Sequence, residues 1–247
     1  MRGAPPLVFD IIRIAQVGST NDELRTLAEA GAPHGTVVHA ARQTAGRGRM
    51  GREWLSRPGN LYASILLRTG SAPRSAAELG FVAALAVADT LDAALPTAIR
   101  TALKWPNDVL VGGAKIAGLL LERLETAHGG AMIAGVGVNV AHAPGGLPYP
   151  ATCLAEHAGR TPAAAEVLDG LLPALAGWLA VWLRDGFAPV RAAWLRRGPA
   201  PGALLHVAQP GGRVVGCFED LAMDGALLLR TAEGTQRVIA GDVTALP

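Results

Sequence analysis

The segment Gly-Pro-Ala-Pro-Gly at 198–202 constrains the fold most, because the pattern of the sequence changes there. Before it, short apolar runs alternate with longer alanine- and leucine-rich segments of helical spacing, whereas only short strands and glycine-containing turns are predicted after it. Proline and glycine interrupt helices and strands, and domain boundaries commonly fall in such segments. The sequence therefore predicts two domains, residues 1–198 and residues 199–247.

The first part of the chain combines strands with helices. Strands are predicted at residues 35–41, 60–68, 99–105, 108–111, 114–125 and 131–140. Helices are predicted at 75–95 and 163–196, with Trp178, Trp182 and Trp194 expected in the core. In the second part, strands are predicted at 204–208, 213–222, 226–231 and 235–240. The predicted fold class is α+β: a mixed β-sheet covered by helices, followed by a small C-terminal β-barrel.

Composition excludes several classes of protein. The chain has 247 residues, half of them apolar, and its two cysteines are far apart, which indicates neither a disulfide framework nor a zinc site. The first 16 residues make a poor signal peptide, and the longest apolar stretch, 81–88, is shorter than the roughly 20 residues of a membrane span. A net charge of +2 does not by itself indicate a nucleic-acid-binding protein. We therefore expect a cytoplasmic protein that does not cross a membrane.

Lysine and asparagine are scarce in this sequence. Of 22 basic residues only Lys104 and Lys115 are lysine, so most positions that need only a positive charge carry arginine. A compact ammonium and a guanidinium are not interchangeable, so the two lysines are expected where shape also matters. The four asparagines are Asn21, Asn60, Asn107 and Asn139. All six residues fall in segments with the pattern of a binding site, and the alternative is an accident of composition.

The loop QTAGRGRMGREW at 43–54 has the composition of an anion-binding loop. It places Arg47, Arg49 and Arg52 among three glycines. Glycine allows close backbone approach, and arginine offers paired donors to phosphate oxygens. The pattern is not a P-loop, and an arginine–glycine tract is also typical of nucleic-acid-binding tails. We expect the empty loop to be mobile, because the three like charges have no predicted partner.

The segment KWPNDVLVGGAKIAGLLLE at 104–122 brings further charged and amide groups near a predicted hairpin. Lys104, Asn107 and Asp108 lie at strand ends, and Lys115 begins the return strand after the Gly112-Gly113 turn. A buried lysine needs an anionic partner, because desolvation of its ammonium must be offset. That partner is either a ligand carboxylate or phosphate, or Asp108.

Five motifs in order resemble the catalytic domain of biotin protein ligases. They are GSTNDEL (18–24), QTAGRGRMGREW (43–54), NLYASILL (60–67), KWPNDVLVGGAKIAGLLLE (104–122) and GVGVNV (135–140). The resemblance covers residues 17 to about 195 and implies a fold like that of class II synthetases and biotin–lipoate ligases. The last part of the chain is similar to the SH3-like β-barrel of that family only in size and pattern.

The resemblance also implies site residues. Those expected to bind biotin are Ser19, Thr20, Asn21, Gln43, Arg47, Gly48, Arg49 and Lys115. Those expected to bind the nucleotide are Arg49, Arg52, Trp54, Lys104, Asn107, Lys115 and Asn139. Lys115 and Arg49 are the expected catalytic residues. Met50 departs from the arginine common in this loop. Asn21 is expected to serve the ligand and not a helix cap, the alternative being a helix start at Ser19 or Thr20.

The implied reaction consumes ATP and biotin, with Mg²⁺ expected on the phosphates and no dedicated metal cluster. It forms biotinyl-AMP and pyrophosphate, then transfers biotin to a lysine of the biotin carboxyl carrier protein of a biotin-dependent carboxylase. Ser19 is preceded by only 18 residues, so we expect the enzyme-only form without a DNA-binding domain. The alternatives are a lipoate or octanoate ligase and a non-catalytic nucleic-acid-binding module. Monomer and homodimer are both compatible with the sequence.

Overall fold

The computed structural model describes residues 7–68, 76–209 and 211–245, which form two β-sheets and four α-helices. Three sequence predictions therefore extend outside the described residues. They concern residues 1–6 of the segment that makes a poor signal peptide, the first residue of the 75–95 helix, and Pro210 in the turn predicted between the strands at 204–208 and 213–222.

The larger sheet has seven strands in the order β1-β2-β3-β7-β6-β5-β4. Their bounds are β1 Asp10–Val17, β2 Thr36–Gln43, β3 Leu61–Leu67, β4 Thr101–Lys104, β5 Asp108–Val111, β6 Ala114–Thr126 and β7 Gly129–Val138. Strands β1 and β2 are parallel and the other neighbours are antiparallel, so the sheet is mixed. Six strands were predicted. Strand β1 was not, because Asp10, Arg13 and Gln16 break its apolar pattern.

The sheet carries helices on both faces. The helices are α1 Thr20–Glu29, α2 Ala76–Ala94, α3 Ala164–Asp185 and α4 Phe187–Leu195. The predicted helix at 163–196 is two helices, because Gly186 has φ +77 and ends α3. Trp182 and Trp194 are fully buried, as predicted. Trp178 is partly buried and donates a hydrogen bond of 2.7 Å to Asp89.

By length and composition alone, helix α3 is also long and apolar enough to span a bilayer. The sequence analysis did not predict this. In this structure Leu168, Leu171 and Trp182 of α3 lie in the main hydrophobic core beside residues of α2. These three residues of α3 thus pack within the protein.

The smaller sheet is antiparallel, with strand order β11-β10-β9-β8-β12. Its strands are β8 Leu204–Gln209, β9 Gly212–Leu221, β10 Leu227–Thr231, β11 Gly234–Val238 and β12 Asp242–Ala245. Four were predicted, and β12 was not. The α+β class with a small C-terminal sheet is confirmed.

The smaller sheet docks against the first part of the chain through specific contacts. The Trp105 indole N–H donates to the carbonyl of Gly225 at 3.0 Å. Gly225 has φ +86, and a Cβ there would lie 2.5 Å from the ring of Phe81, so glycine is needed for this approach. Arg191 of α4 donates to Asp220 and to the carbonyl of Leu221.

Candidate functional site

One face of the large sheet has a floor of glycines. Side chains alternate along a strand, so residues paired across neighbouring strands share a face. In the observed register Gly118 of β6 lies between Asp108 and Gly137, and Gly135 of β7 pairs with Ser64. Helix α1 and the loop after β2 cover this face, and α2 and α3 pack on the opposite side.

The glycines allow two side chains to lie directly on the sheet. A Cβ at Gly135 would be 2.4 Å from Asn21 Oδ1. At Gly118 and Gly137 it would be 2.9 and 2.5 Å from the indole of Trp54. The Trp54 Nε1 atom is buried and finds no hydrogen-bond partner among the described residues. The Trp54 indole thus occupies the floor in this structure.

Uncharged polar groups form a network at the α1 end of the face. The backbone N–H and the hydroxyl of Thr20 donate to Gln43 Oε1 at 2.8 and 3.1 Å. The Ser64 hydroxyl lies 2.7 Å from Thr20 Oγ1 and 2.6 Å from Asn21 Oδ1. Ser19, Thr20 and Asn21 are all buried. The structure therefore brings Thr20, Asn21 and Gln43 together, with Ser64 as a member that the sequence analysis did not assign.

Asn21 also connects this network to β6. Its amide nitrogen donates to Glu122 Oε2 at 2.8 Å, so the side chain joins α1 to β3 and β6. Asn21 lies inside the helix and makes two tertiary hydrogen bonds, so it also contributes to the fold, and its role in binding the ligand stays a prediction. Helix α1 does begin at Thr20, but Ser19 makes no side-chain capping bond.

Arg47 is held by carboxylates next to this network. Its guanidinium bonds both oxygens of Asp22 at 2.6 Å and lies 3.2 Å from Glu122 Oε1. The hydrogen bond from Arg47 lowers the pKa of Asp22 below its ordinary value, and the same bond raises the pKa of Arg47. The Arg47–Asp22 ion pair thus lies at the edge of the uncharged network.

Arg49 and Arg52 contact the C-terminal domain. Arg52 pairs with Asp242, and Arg49 Nη1 lies 3.6 Å from Asp242 Oδ1 and donates to the Gly241 carbonyl at 3.1 Å. The expectation that the loop arginines have no partners is wrong, because each lies within ion-pair distance of a carboxylate distant in sequence. Met50, at the tip of the loop, is exposed and has φ +56.

Asp108 lies between the two lysines of the chain. Its carboxylate is 3.1 Å from Lys104 Nζ and 2.6 Å from Lys115 Nζ. Lys115 Nζ is also 5.3 Å from the ring centre of Trp54 and 5.6 Å from that of Tyr149. Of the two partners considered for these lysines, Asp108 is the one present in this structure.

The asparagines divide between the site and the fold. Asn107 donates to the Leu119 carbonyl at 2.6 Å, and its Oδ1 faces Arg49 at 3.4 Å. Asn139 donates to the Thr152 carbonyl at 3.0 Å. Asn60 instead accepts backbone N–H groups at 140–142, so it positions the chain after β7.

A cavity opens between the loop after β2 and the segment that follows β7. Polar and aromatic groups line it: Trp54, Lys115, Asn139 and Tyr149. Tyr149 was missed, because it lies in a proline- and glycine-rich segment without a motif. Gly48 lies in the loop, where its N–H donates to the Arg52 carbonyl at 2.7 Å. Across the described parts of the chain, no three His, Cys, Asp or Glu side chains gather as a metal site.

Comparisons with known proteins agree on one family. A model of the biotin/lipoate A/B protein ligase family matches residues 14–139, and a model of the biotin protein ligase C-terminal domain matches residues 206–244. The chain is 42% identical over 236 residues to the biotin–(acetyl-CoA-carboxylase) ligase of Paracoccus denitrificans, with 93% of this chain and 98% of that protein covered.

Two solved structures have the same fold. The biotin protein ligase from Aquifex aeolicus in complex with biotin and ATP has a TM-score of 0.82 and 30% identity, covering 95% of this chain and 97% of that one. The biotin protein ligase from Leishmania major in complex with biotinyl-5-AMP has a TM-score of 0.66 and 27% identity, with coverages of 96% and 100%.

Proposed function

Because the chain belongs to the biotin/lipoate A/B protein ligase family, we propose that it activates biotin with ATP and transfers the biotinyl group to a lysine of a biotin carboxyl carrier protein. The observation that carries this proposal is the division of one sheet face into an uncharged polar end and a cationic end, joined by a floor of glycines. The related structures hold biotin with ATP, and biotinyl-5-AMP, which are the substrates and the intermediate of this reaction.

The uncharged end suits the ring system of biotin. A ureido group has two N–H donors and one carbonyl acceptor, and all three must be satisfied when they are buried. Thr20, Asn21, Gln43 and the neighbouring Ser19 supply hydroxyl and amide groups of both kinds. A biotin bound there would extend along the glycine floor, with its carboxylate towards Lys115, once the Trp54 indole has moved off the floor.

The cationic end suits a nucleotide. The cavity beside Trp54 and Tyr149 offers aromatic faces to a base, with the amide of Asn139 at its wall. Arg49, Arg52, Lys104 and Lys115 surround the adjoining space, and guanidinium and ammonium groups are strong phosphate donors. Asn107 and Gly48 complete this end from the hairpin and the loop.

The first step joins two anions, and the chain's cations make that approach feasible. A biotin carboxylate oxygen attacks the α-phosphorus, a new O–P bond forms, and pyrophosphate leaves with the electron pair of the broken bond. Lys115 is placed to contact both reacting groups, with Arg49 on the phosphates. Catalysis of this kind rests on positioning and on electrostatic stabilisation of developing charge.

In the second step the neutral amine of the acceptor lysine attacks the acyl carbon and a C–N bond forms. AMP leaves with the electrons of the broken C–O bond, and the amine gives up one proton to solvent. We propose that Mg²⁺ enters with ATP as part of the substrate, because Mg²⁺ commonly binds proteins through phosphates and one or two carboxylates. Asp108 is the carboxylate between the two lysines of the cationic end.

An open sheet edge is the proposed docking place for the acceptor. Strand β5 pairs with β6 only over Ala114–Gly118, whereas β7 pairs with β6 as far as Thr126. No strand of the described chain covers the other edge of β6 at 120–126, and open edges accept further strands. We propose that a carrier domain or a second copy pairs there.

We also propose cytoplasmic location, no DNA or membrane binding, and domains at 1–198 and 199–247.

A lipoate or octanoate ligase is the second candidate, because the matching family contains both kinds of enzyme. The hydrogen-bonding network around Thr20 and Gln43 favours biotin, because a ureido group can bond these hydroxyl and amide groups whereas an aliphatic acyl chain cannot. Isothermal titration with biotin and with octanoate separates the two proposals. Binding of octanoate alone would contradict ours.

Mass spectrometry of a carrier domain incubated with the chain, ATP and biotin tests the full reaction. We expect one biotinyl adduct on the target lysine and release of one pyrophosphate per adduct. A carrier with that lysine changed to arginine is the matched control and gains no mass. Pyrophosphate release without any adduct would restrict the proposal to the first step. The absence of both pyrophosphate and adduct would refute it.

A further inference from the structure

A single carboxylate of the C-terminal domain is shared by two arginines of the loop. Asp242 pairs with Arg52 and lies 3.6 Å from Arg49. Its position is fixed by the fold, because it begins β12 and pairs with Ala208 of β8. The preceding Gly241 is tightly enclosed, since a Cβ there would be 2.6 Å from Val207 and 2.8 Å from a backbone oxygen.

Asp242 neutralises the arginines incompletely. Arg49 Nη1 donates to two neutral oxygens, those of Gly241 and Asn107, and its nearest carboxylate is 3.6 Å away. Burial lowers the pKa of Arg49 below its ordinary value although Asp242 acts in the opposite sense. Among the described residues this guanidinium therefore has no full counter-charge.

The lysine pair repeats this arrangement, because Asp108 is likewise shared by Lys104 and Lys115. The cationic end thus has two carboxylates for four basic groups. A triphosphate supplies several anionic oxygens and can bond both guanidiniums at once, which one carboxylate does poorly.

From this sharing we propose that Asp242 competes with the phosphates of ATP: it occupies Arg49 and Arg52 until the nucleotide displaces it, and so sets the affinity for ATP. The inference rests on the proposed function, because it takes ATP as the ligand of these arginines. It assigns the C-terminal domain a share in nucleotide binding through a charge that opposes binding.

The opposing role for Asp242 is that of a positioning residue that holds the arginines ready for ATP. The two roles differ in sign. If Asp242 competes, its removal increases the affinity for ATP, and if it positions the arginines, its removal decreases that affinity. In both cases the empty loop loses an anchor, so trypsin should cut it faster.

The test is isothermal titration of the full chain, saturated with biotin, with α,β-methylene-ATP, which releases no pyrophosphate. Asp242→Asn keeps the size of the side chain and removes its charge, and Asp242→Glu keeps the charge. Glu219→Gln is the matched control, because it removes one exposed negative charge from the same domain without a contact to the loop. Melting temperatures verify that all variants fold.

We expect Asp242→Asn to bind the analogue about two- to fivefold more tightly than the wild type, the range that a partly exposed ion pair allows. Asp242→Glu and Glu219→Gln should stay near the wild-type value. Weaker or unchanged binding by a folded Asp242→Asn would overturn the inference and leave the proposed function standing. A wild-type chain that does not bind the analogue would overturn both.

Discussion

Replacement of Lys115 is the sharpest test of the proposed chemistry. Lys115 Nζ lies 2.6 Å from Asp108, and its side chain is 16% exposed. In Lys115→Ala the buried Asp108 carboxylate keeps Lys104 at 3.1 Å, so it is not left without a partner. We therefore expect a loss of stability of about 1–2 kcal/mol, below the roughly 3–5 kcal/mol that follows removal of the only partner of a buried charge.

The loss of activity should be much larger. A positioned cation that stabilises developing charge is worth about 10²–10³ in turnover, or about 3–4 kcal/mol. Lys115→Arg should be nearly as inactive, because the end of the lysine lies 3.2 Å from a Cβ position at Gly118 with the Trp54 ring near it. A planar guanidinium is wider than an ammonium and would displace the indole from this slot.

Pyrophosphate release at saturating ATP and biotin measures the first step without the acceptor, and thermal unfolding measures stability. Lys104→Ala is the comparison, because it removes the other ammonium from Asp108. We expect the two alanine variants to lose similar stability and Lys115→Ala to lose far more turnover. Release by Lys115→Ala within about threefold of the wild type would refute the reasoning, since it is far below the loss expected for such a donor.

Three further predictions follow from the site. Asn21→Ala should lose about 1–3 kcal/mol of stability, because Ser64 and Glu122 each lose a hydrogen bond. It should also weaken biotin binding in a titration, and an unchanged biotin affinity would show that Asn21 serves only the fold. Gly137→Ala should displace the indole of Trp54 and raise the KM for ATP, with little change in melting temperature, whereas a wild-type KM would contradict the close packing on the floor. Arg47 lowers the pKa of Asp22 below 3.8, so their pair stabilises the chain above about that pH and is lost as pH falls further. Stability curves of wild type and Asp22→Asn should therefore differ at neutral pH and converge in strong acid, and a gap that persists there would point to a cause other than charge.

The family resemblance implied that Thr20, Asn21 and Gln43 lie near one another, and the structure brings these side chains together. The sequence did not predict the counter-ions of the loop arginines. Arg47 pairs with residues 25 and 75 positions away, and Arg52 pairs with one 190 positions away. Local patterns carry no information on such contacts, which depend on how α1, β6 and β12 meet in the folded chain.

The fold shows the same limit. Apolar spacing predicted the buried strands and the helical segment at 163–196, but the break at Gly186 depends on a positive φ that spacing does not reveal. Strand β1 was missed because a polar edge strand has no strong apolar pattern. It nevertheless pairs with β2 in parallel from Asp10 to Val17.

The contact of Asp242 with the loop also has a consequence for chimeric enzymes. A C-terminal domain taken from a relative would retain its seat on Trp105 only if a glycine stood at the position of Gly225, where a Cβ would collide with Phe81. It would also need an acid at 242 to face Arg52. If Asp242 competes with ATP as proposed, a domain with a neutral residue at this position would raise nucleotide affinity without a change in any residue of the loop.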